Sequence, residues 1–384
     1  MDSIEAEELE LFRTSVRRFM EREVVPNAER WRAAGSVDRS LWTRAGEAGL
    51  LLAAIPEEYG GGGGNFRHEV AIVEELARIN FFDFGCPLHS AMVAPYILHY
   101  GTEEQKRRWL PRLASGDLVG AIAMTEPSGG SDLRAIRTTA KRDGDAYVIN
   151  GQKVFITNGQ LANLIIVVVK TDPAAGGRGI SLVCVETDGA EGFRRGRNLK
   201  KIGFEAQDTS ELFFDDVRIP AADLIGEQPN RGFLQLKQQL PQERLIIAIQ
   251  AVGAIESAID TTLTYTRDRT AFGQSILDFQ NTRFKLAEAT TEAKIARVFL
   301  DHCIDEHVAG RLDDVTAAMA KWWTSQKQCE IIDECLQLHG GFGYMAEYPI
   351  ATMWTDARVQ KIYGGTNEIM KEIIGRDLRA GNRR

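Results

Sequence analysis

The stretch A-Y-V-I-N-G-Q-K-V-F-I-T-N, Ala146–Asn158, is rich in β-branched and aromatic residues and carries no helical period. Similar short runs follow it, L-I-I-V-V-V at 164–169, I-S-L-V-C-V at 180–185 and S-E-L-F-F-D-D-V-R-I at 210–219. Gly, Asp and Pro turns separate them and leave no room for crossover helices, so an antiparallel barrel or sandwich is expected rather than a dinucleotide-binding βαβ unit. D-G-D at 143–145 and N-G-Q at 150–152 read as hairpin-type turns.

On either side of this region the spacing is helical. From Ile4 to about Gly116, apolar residues such as Leu9, Phe12, Val16 and Phe19 recur every three or four positions. P-E-E-Y-G-G-G-G-G-N at 56–65 interrupts them. No Gly-Lys-Ser/Thr follows those glycines, so a flexible interhelical loop is expected there and not a phosphate loop. From Gly232 onward, segments 233–268, 278–308, 312–338 and 350–375 have the length and amphipathic period of a four-helix bundle, with Pro241 expected to kink or restart the first. The expected fold is therefore a multidomain α+β chain. It has an N-terminal α-helical domain (1–120), a middle antiparallel β-barrel or sandwich domain (121–231) and a C-terminal helical bundle (232–384).

Composition narrows the function. The 384 residues are 44% hydrophobic and 26% charged, with a net charge of −8, which argues against a general nucleic-acid backbone binder. The longest aliphatic run falls far short of the roughly 20 residues of a spanning helix, and the acidic N-terminus has neither a signal core nor the Arg-rich character of a transit peptide. No membrane span and a cytoplasmic location are the expectations. Five scattered cysteines and six histidines lack metal-ligand spacing, so neither disulfides nor a metal site is expected.

Five stretches could carry chemistry. A-M-T-E-P-S-G-G-S-D (123–132) concentrates hydroxyls and backbone donors, although a tight turn satisfied by its own Ser and Thr would look the same. In K-V-F-I-T-N-G (153–159), Phe155 and Thr157 share a strand face and suit a flat heterocycle, with core packing of Phe155 as the alternative. R-T-A-F-G-Q (269–274) ends a helix with an anion partner, Arg269, and Q-L-H-G-G-F-G-Y (337–344) is a glycine-capped helix end. I-Y-G-G-T-N-E-I (362–369) breaks a helical pattern with paired glycines, as a close backbone approach requires.

Taken in order and spacing, these stretches resemble the acyl-CoA dehydrogenase family over nearly the whole chain. The resemblance implies an FAD site. Met124, Thr125, Phe155 and Thr157 would line the isoalloxazine; Arg269, Phe272, Gln280, Gln337 and Gly341 would reach the FAD of a neighbouring subunit; Thr366, Asn367 and Glu368 would contact the dinucleotide of their own. It further implies an acyl-CoA substrate, an electron-transferring flavoprotein as acceptor, a homotetramer built as a dimer of dimers and a place in fatty-acid β-oxidation. Ser131 would contact the thioester end of the substrate.

Where the best-known members read Y-E-G-T, this chain has Tyr363, Gly364, Gly365 and Thr366, so their catalytic glutamate is missing. L-P-Q-E-R-L (240–245) resembles the long-chain branch, in which the base lies on this helix. By helix pattern alone Glu243 reads as a solvated charge. Beside a vacated Gly364 it is expected to be the base, with the Gly364 amide retained as an oxyanion donor, Gly364 and Gly365 leaving room for the acyl chain, and Arg244 either holding the acid's surroundings or pairing with a nearby carboxylate. An oxidase or monooxygenase on the same fold, and a non-catalytic acyl-CoA-binding or assembly factor, are the alternatives.

Overall fold

The computed structural model describes residues 3–381. Two compact units emerge. One holds the chain up to Ile72 with Asp83–Lys201 and Glu205–Leu240; the other holds Val73–Phe82, Ile202–Phe204 and the chain from Pro241 onward.

The first unit opens with helices α1 (Ser3–Phe19), α2 (Ala28–Ala34) and α3 (Arg39–Glu47), followed by the start of α4 (Phe66–Arg78, which from Val73 belongs to the second unit), the single turn α5 (Cys86–Leu88), α6 (Ala94–Tyr100) and α7 (Glu103–Ala114). Their apolar faces meet around Trp31, Trp42, Tyr96 and Trp109, all fully buried. Thr102 starts α7 with a capping box, its hydroxyl accepting from Gln105 N while the Gln105 side chain accepts from Thr102 N. The glycine-rich segment is not the flexible loop its composition suggests. Gly62, Gly63 and Gly64 donate to the carbonyls of Leu52, Ile55 and Ala53, and a Cβ on Gly61 would stand 2.2 Å from Ile55 O. The glycines are there because the chain folds flat against its own backbone.

Strands β1 (Gly120–Ala123), β2 (Thr139–Asp143), β3 (Ala146–Thr157), β4 (Leu164–Lys170), β5 (Ile180–Glu186), β6 (Phe193–Asn198) and β7 (Thr209–Pro220) form one sheet in the order β1-β4-β2-β3-β7-β6, with β5 pairing β4. Most neighbours are antiparallel, but β1 and β2 run parallel to β4, so the sheet is mixed. The six aliphatic residues of β4 are all buried, which is why that strand reads as an unbroken apolar run rather than an alternation. D-G-D is the β2–β3 turn, with Asp143 opposite Ala146. N-G-Q is not a turn. β3 continues through it, and the register against β7 shifts between Ile149 and Gly151, whose φ of +148° marks a bulge. His89 ties this sheet to the helices: its Nδ1 accepts from Gly120 N, its Nε2–H donates to Leu113 O, and burial pushes its pKa down to about 4.

In the second unit the chain beyond Pro241 continues α8 (Gly232–Asp268) as one uninterrupted helix; the proline coincides with the boundary of the units and not with a break. A tiny hairpin, β8 (Thr270–Ala271) with β9 (Gln274–Ser275), leads to α9 (Gln280–Val308), α10 (Asp314–Leu338), α11 (Pro349–Ala357) and α12 (Asn367–Arg379). The expected fourth bundle helix, 350–375, is thus two helices flanking the paired glycines. α10 packs on α9, α11 and α12. Arg297 on α9 binds Glu256 of α8 at 2.6 Å and Glu74 of α4 at 2.6 Å, a half-buried ion network rather than a surface pair. By length and hydropathy α8 could cross a membrane, but 72% of its apolar window is buried inside the protein, as in a core helix.

Candidate active site

In the first unit the site is built on β3 and on the segment after β1. A second shift of register against β7, between Lys153 and Ile156, puts Phe155 at φ +62° and lifts its ring out of the sheet, 66% exposed. Core packing is therefore not its role. Thr157 is half-buried on the same open side and Ile156 is buried beneath. Met124 and Thr125 run alongside, because Val154 N donates to Thr125 O at 2.9 Å and the Lys153 ammonium donates to Met124 O at 3.0 Å.

Glu126 closes the arrangement. Its carboxylate accepts from Lys153 Nζ (2.8 Å), Arg137 N (2.6 Å) and Thr138 N (2.9 Å). Burial pulls Lys153 down to about 8, while the hydrogen bonds from Lys153 and Thr138 outweigh the burial of Glu126 and keep its carboxyl below the usual range. The T-E-P-S-G-G segment is the expected tight turn, with Glu126 and Gly129 exchanging two backbone bonds, but a buried carboxylate and not the Ser and Thr hydroxyls satisfies the neighbouring amides. Ser131 is exposed beyond this turn. Neither Glu126 nor Lys153 was singled out from the sequence, where an acid and a lysine 27 positions apart give no sign of pairing.

In the second unit three residues of α8, Glu243, Ile247 and Gln250, recur at helical spacing and share one face. Gln250 accepts from the Tyr363 hydroxyl at 3.1 Å, and a Cβ on Gly364 would meet Ile247 Cδ1 at 2.2 Å. This face of α8 therefore lies along the paired-glycine turn, with Glu243 one helical turn, roughly 6 Å, from the point of closest approach. The space that Gly364 vacates is filled by Ile247 and is not open room for a chain. Glu243 is 6% exposed. Arg244, beside it, is buried and paired with Asp314 at the start of α10, which fixes the rotation of α8 about its axis.

The turn itself is left-handed, with φ of +63° at Gly364 and +90° at Gly365. Tyr363 N donates to Val359 O, and Thr366 caps α12 by accepting from Ile369 N. Among the described residues, the N–H groups of Gly364, Gly365 and Thr366 make no hydrogen bond. Successive unused donors in such a turn form a concavity suited to oxyanions or phosphate oxygens. Asn367 is buried and Glu368 exposed on the first turn of α12.

The remaining residues lie on the outside of the second unit. Arg269, Phe272, Gln280, Gln337 and Gly341 are all exposed, Phe272 at 96%. Arg269 stacks over Phe342 at 5.2 Å. The exposed Phe155 ring offers a flat apolar wall, and, separately, the open amides of the glycine turn offer donors for an anionic group.

Comparison with known proteins accounts for nearly the whole chain. Residues 6–117, 121–217 and 230–379 match the N-terminal, middle and C-terminal domains of acyl-CoA dehydrogenase. The chain belongs to the acyl-CoA dehydrogenase family. It is 50% identical over 373 residues to the mitochondrial long-chain specific acyl-CoA dehydrogenase of Sus scrofa, covering 97% of this chain and 86% of that one. The crystal structure of an acyl-CoA dehydrogenase from Geobacillus kaustophilus superimposes with a TM-score of 0.95 at 49% identity, over 97% of this chain and 98% of the other. A glutaryl-CoA dehydrogenase from Mycobacterium smegmatis, solved in complex with FADH2, superimposes with a TM-score of 0.89 at 31% identity, over 99% and 95%. This acyl-CoA dehydrogenase is accordingly an FAD-dependent oxidoreductase.

Proposed function

We propose that the protein converts an acyl-CoA thioester to its trans-2-enoyl-CoA, with Glu243 as the base that takes the α-proton. The observation that carries this reading is the shared face of α8, on which Ile247 and Gln250 rest against Gly364 and Tyr363 and Glu243 is the next residue along. When the α-proton leaves, negative charge develops on the thioester oxygen. The unused Gly364 N–H is a donor held in place before that charge appears, which is where such a group lowers a barrier most. Burial of Glu243 keeps water from competing for the proton. Arg244, tied to Asp314, holds the helix that carries the base. FAD supplies the acceptor for the β-hydride.

Met124, Thr125, Phe155 and Thr157 would hold the isoalloxazine, and Thr366, Asn367 and Glu368 the dinucleotide of their own chain. The outward exposure of Arg269, Phe272, Gln280, Gln337 and Gly341 supports their reaching the FAD of a second chain within a homotetramer. Ser131, exposed beyond the Glu126 turn, would meet the substrate's thioester end, with Gly364 and Gly365 passing along it. The half-identity to the long-chain enzyme supports a long acyl chain, a role in fatty-acid β-oxidation and electron-transferring flavoprotein as the acceptor.

Anaerobic mixing of the holoenzyme with straight and branched acyl-CoAs tests this, followed by flavin bleaching. Wild type should bleach fastest with long chains, and Glu243→Gln should retain FAD and ligand while losing at least ~1,000-fold in rate. A wild-type protein that bleaches with no acyl-CoA would leave a binding or assembly role in its place.

A further inference from the structure

Lys321 lies in the middle of α10 and is fully buried. Its ammonium donates to Gly365 O at 2.7 Å and to Asn367 Oδ1 at 3.1 Å, and Ser325, one turn along the same helix, donates to that same Asn367 oxygen at 3.0 Å. Both acceptors are neutral, so the cation is placed where hydration has been lost without an ionic partner at hydrogen-bond distance. Burial pulls its pKa down to about 7, Arg244 pushes the same way, and Glu368 opposes them. A methionine would fill this space at less cost.

What Lys321 holds is the far end of the glycine turn. The near end is fixed by Tyr363, through its N–H to Val359 O and its hydroxyl to Gln250. Between the two ends lie Gly364 and Gly365, the residue type with the widest backbone freedom. In a trans peptide the N–H points opposite to the C=O. Drawing the Gly365 carbonyl toward α10 therefore turns the Thr366 N–H away from it, and with both ends held the two glycines between them have less freedom to turn the Gly364 amide.

We propose that Lys321 is a positioning residue of the active site, which sets the direction of the Gly364 and Thr366 N–H groups by anchoring the Gly365 carbonyl and the Asn367 side chain. This rests on the reading of the Gly364 amide as the donor to the thioester oxygen. Lys321 is fully buried and acts on the site through Gly365 and Asn367. Its effect falls on the step in which charge develops and not on ground-state binding.

The test compares wild type, Lys321→Met and Lys321→Gln as FAD-loaded enzymes. For each, the bleaching rate at saturating acyl-CoA, the Kd of acyl-CoA from the perturbation of the flavin spectrum, FAD retention and the melting temperature are measured. Met should lower the rate by about tenfold or more and change Kd by less than about threefold, and Gln, which restores an N–H donor, should bring the rate back to within about threefold of wild type. A Met variant that bleaches at the wild-type rate overturns the proposal. So does one in which rate, Kd, FAD retention and melting temperature fall together and Gln is no better, since that is a packing residue. A wild-type enzyme inert to every acyl-CoA removes the dehydrogenase reading and this proposal with it, an outcome distinct from an active wild type matched by an active Met variant.

Discussion

Gly364 has no side chain for two separable reasons. At φ +63° an L-residue is strained, and a Cβ would collide with Ile247 Cδ1. Each effect costs on the order of 1–3 kcal/mol. Gly364→Ala should accordingly lower the denaturant midpoint, and adding Ile247→Val should recover only the collision part, so that the double variant is more stable than the sum of the single effects by about 1 kcal/mol. Additive losses would mean that Ile247 moves aside freely. A glutamate at 364 would meet the same obstacle, the Ile247 side chain on the helix that carries Glu243. The vacancy at Gly364 and the acid at Glu243 were both legible as residues. Their proximity was not, because 121 positions separate them and Ile247, the residue that joins them, looks like any core isoleucine.

Glu69, near the start of α4, shows how an element's local chemistry feeds into stability. It is buried, its carboxylate accepts from Ala54 N at 3.2 Å, and burial raises its pKa to about 7. An unfolded chain releases this proton near 4.5, so between 4.5 and 7 the folded protein holds a proton that the unfolded one has lost. The contribution is complete below 4.5 and falls away as pH rises to 7, by up to about 3 kcal/mol. His89 acts in the opposite sense between 4 and 6.5, since a depressed histidine loses stability as pH falls. The comparison that isolates Glu69 is therefore with Glu69→Gln, whose melting temperature should gain on wild type as pH rises from 5 to 7. A constant offset between the two would contradict it. Elements also show where local patterns mislead. N-G at 150–151 has hairpin chemistry yet sits inside β3, because β7 pairs with both sides of it and absorbs the extra residue as a bulge. A second such irregularity exposes Phe155, and neither can be read from β3 alone.

For the whole molecule the exposed apolar residues matter most. Phe284, Ile295 and Val298 on α9 are each more than half exposed and fall on one side of the helix, a stripe without a partner among the described residues. Burial of this stripe between copies would fit the proposed homotetramer. Ile295→Lys with Val298→Glu should reduce the mass measured by light scattering to that of a smaller assembly, and FAD retention should fall with it if Arg269 and Gln337 serve a neighbour's cofactor. An unchanged mass would place the interface elsewhere. The order helix, strand, helix, the turn chemistry of D-G-D and the presence of an acid at 243 with none at 364 were properties of the sequence by itself, since periods of two or 3.6 residues and the loss or gain of an acid are written locally. Tertiary structure alone decided that Phe155 faces outward, that Lys153 and Lys321 are buried beneath the turns they hold, and that α8 presents Glu243 toward Gly364. Burial, register and helix rotation are set by contacts between residues far apart in the chain, and no window of neighbouring residues contains them.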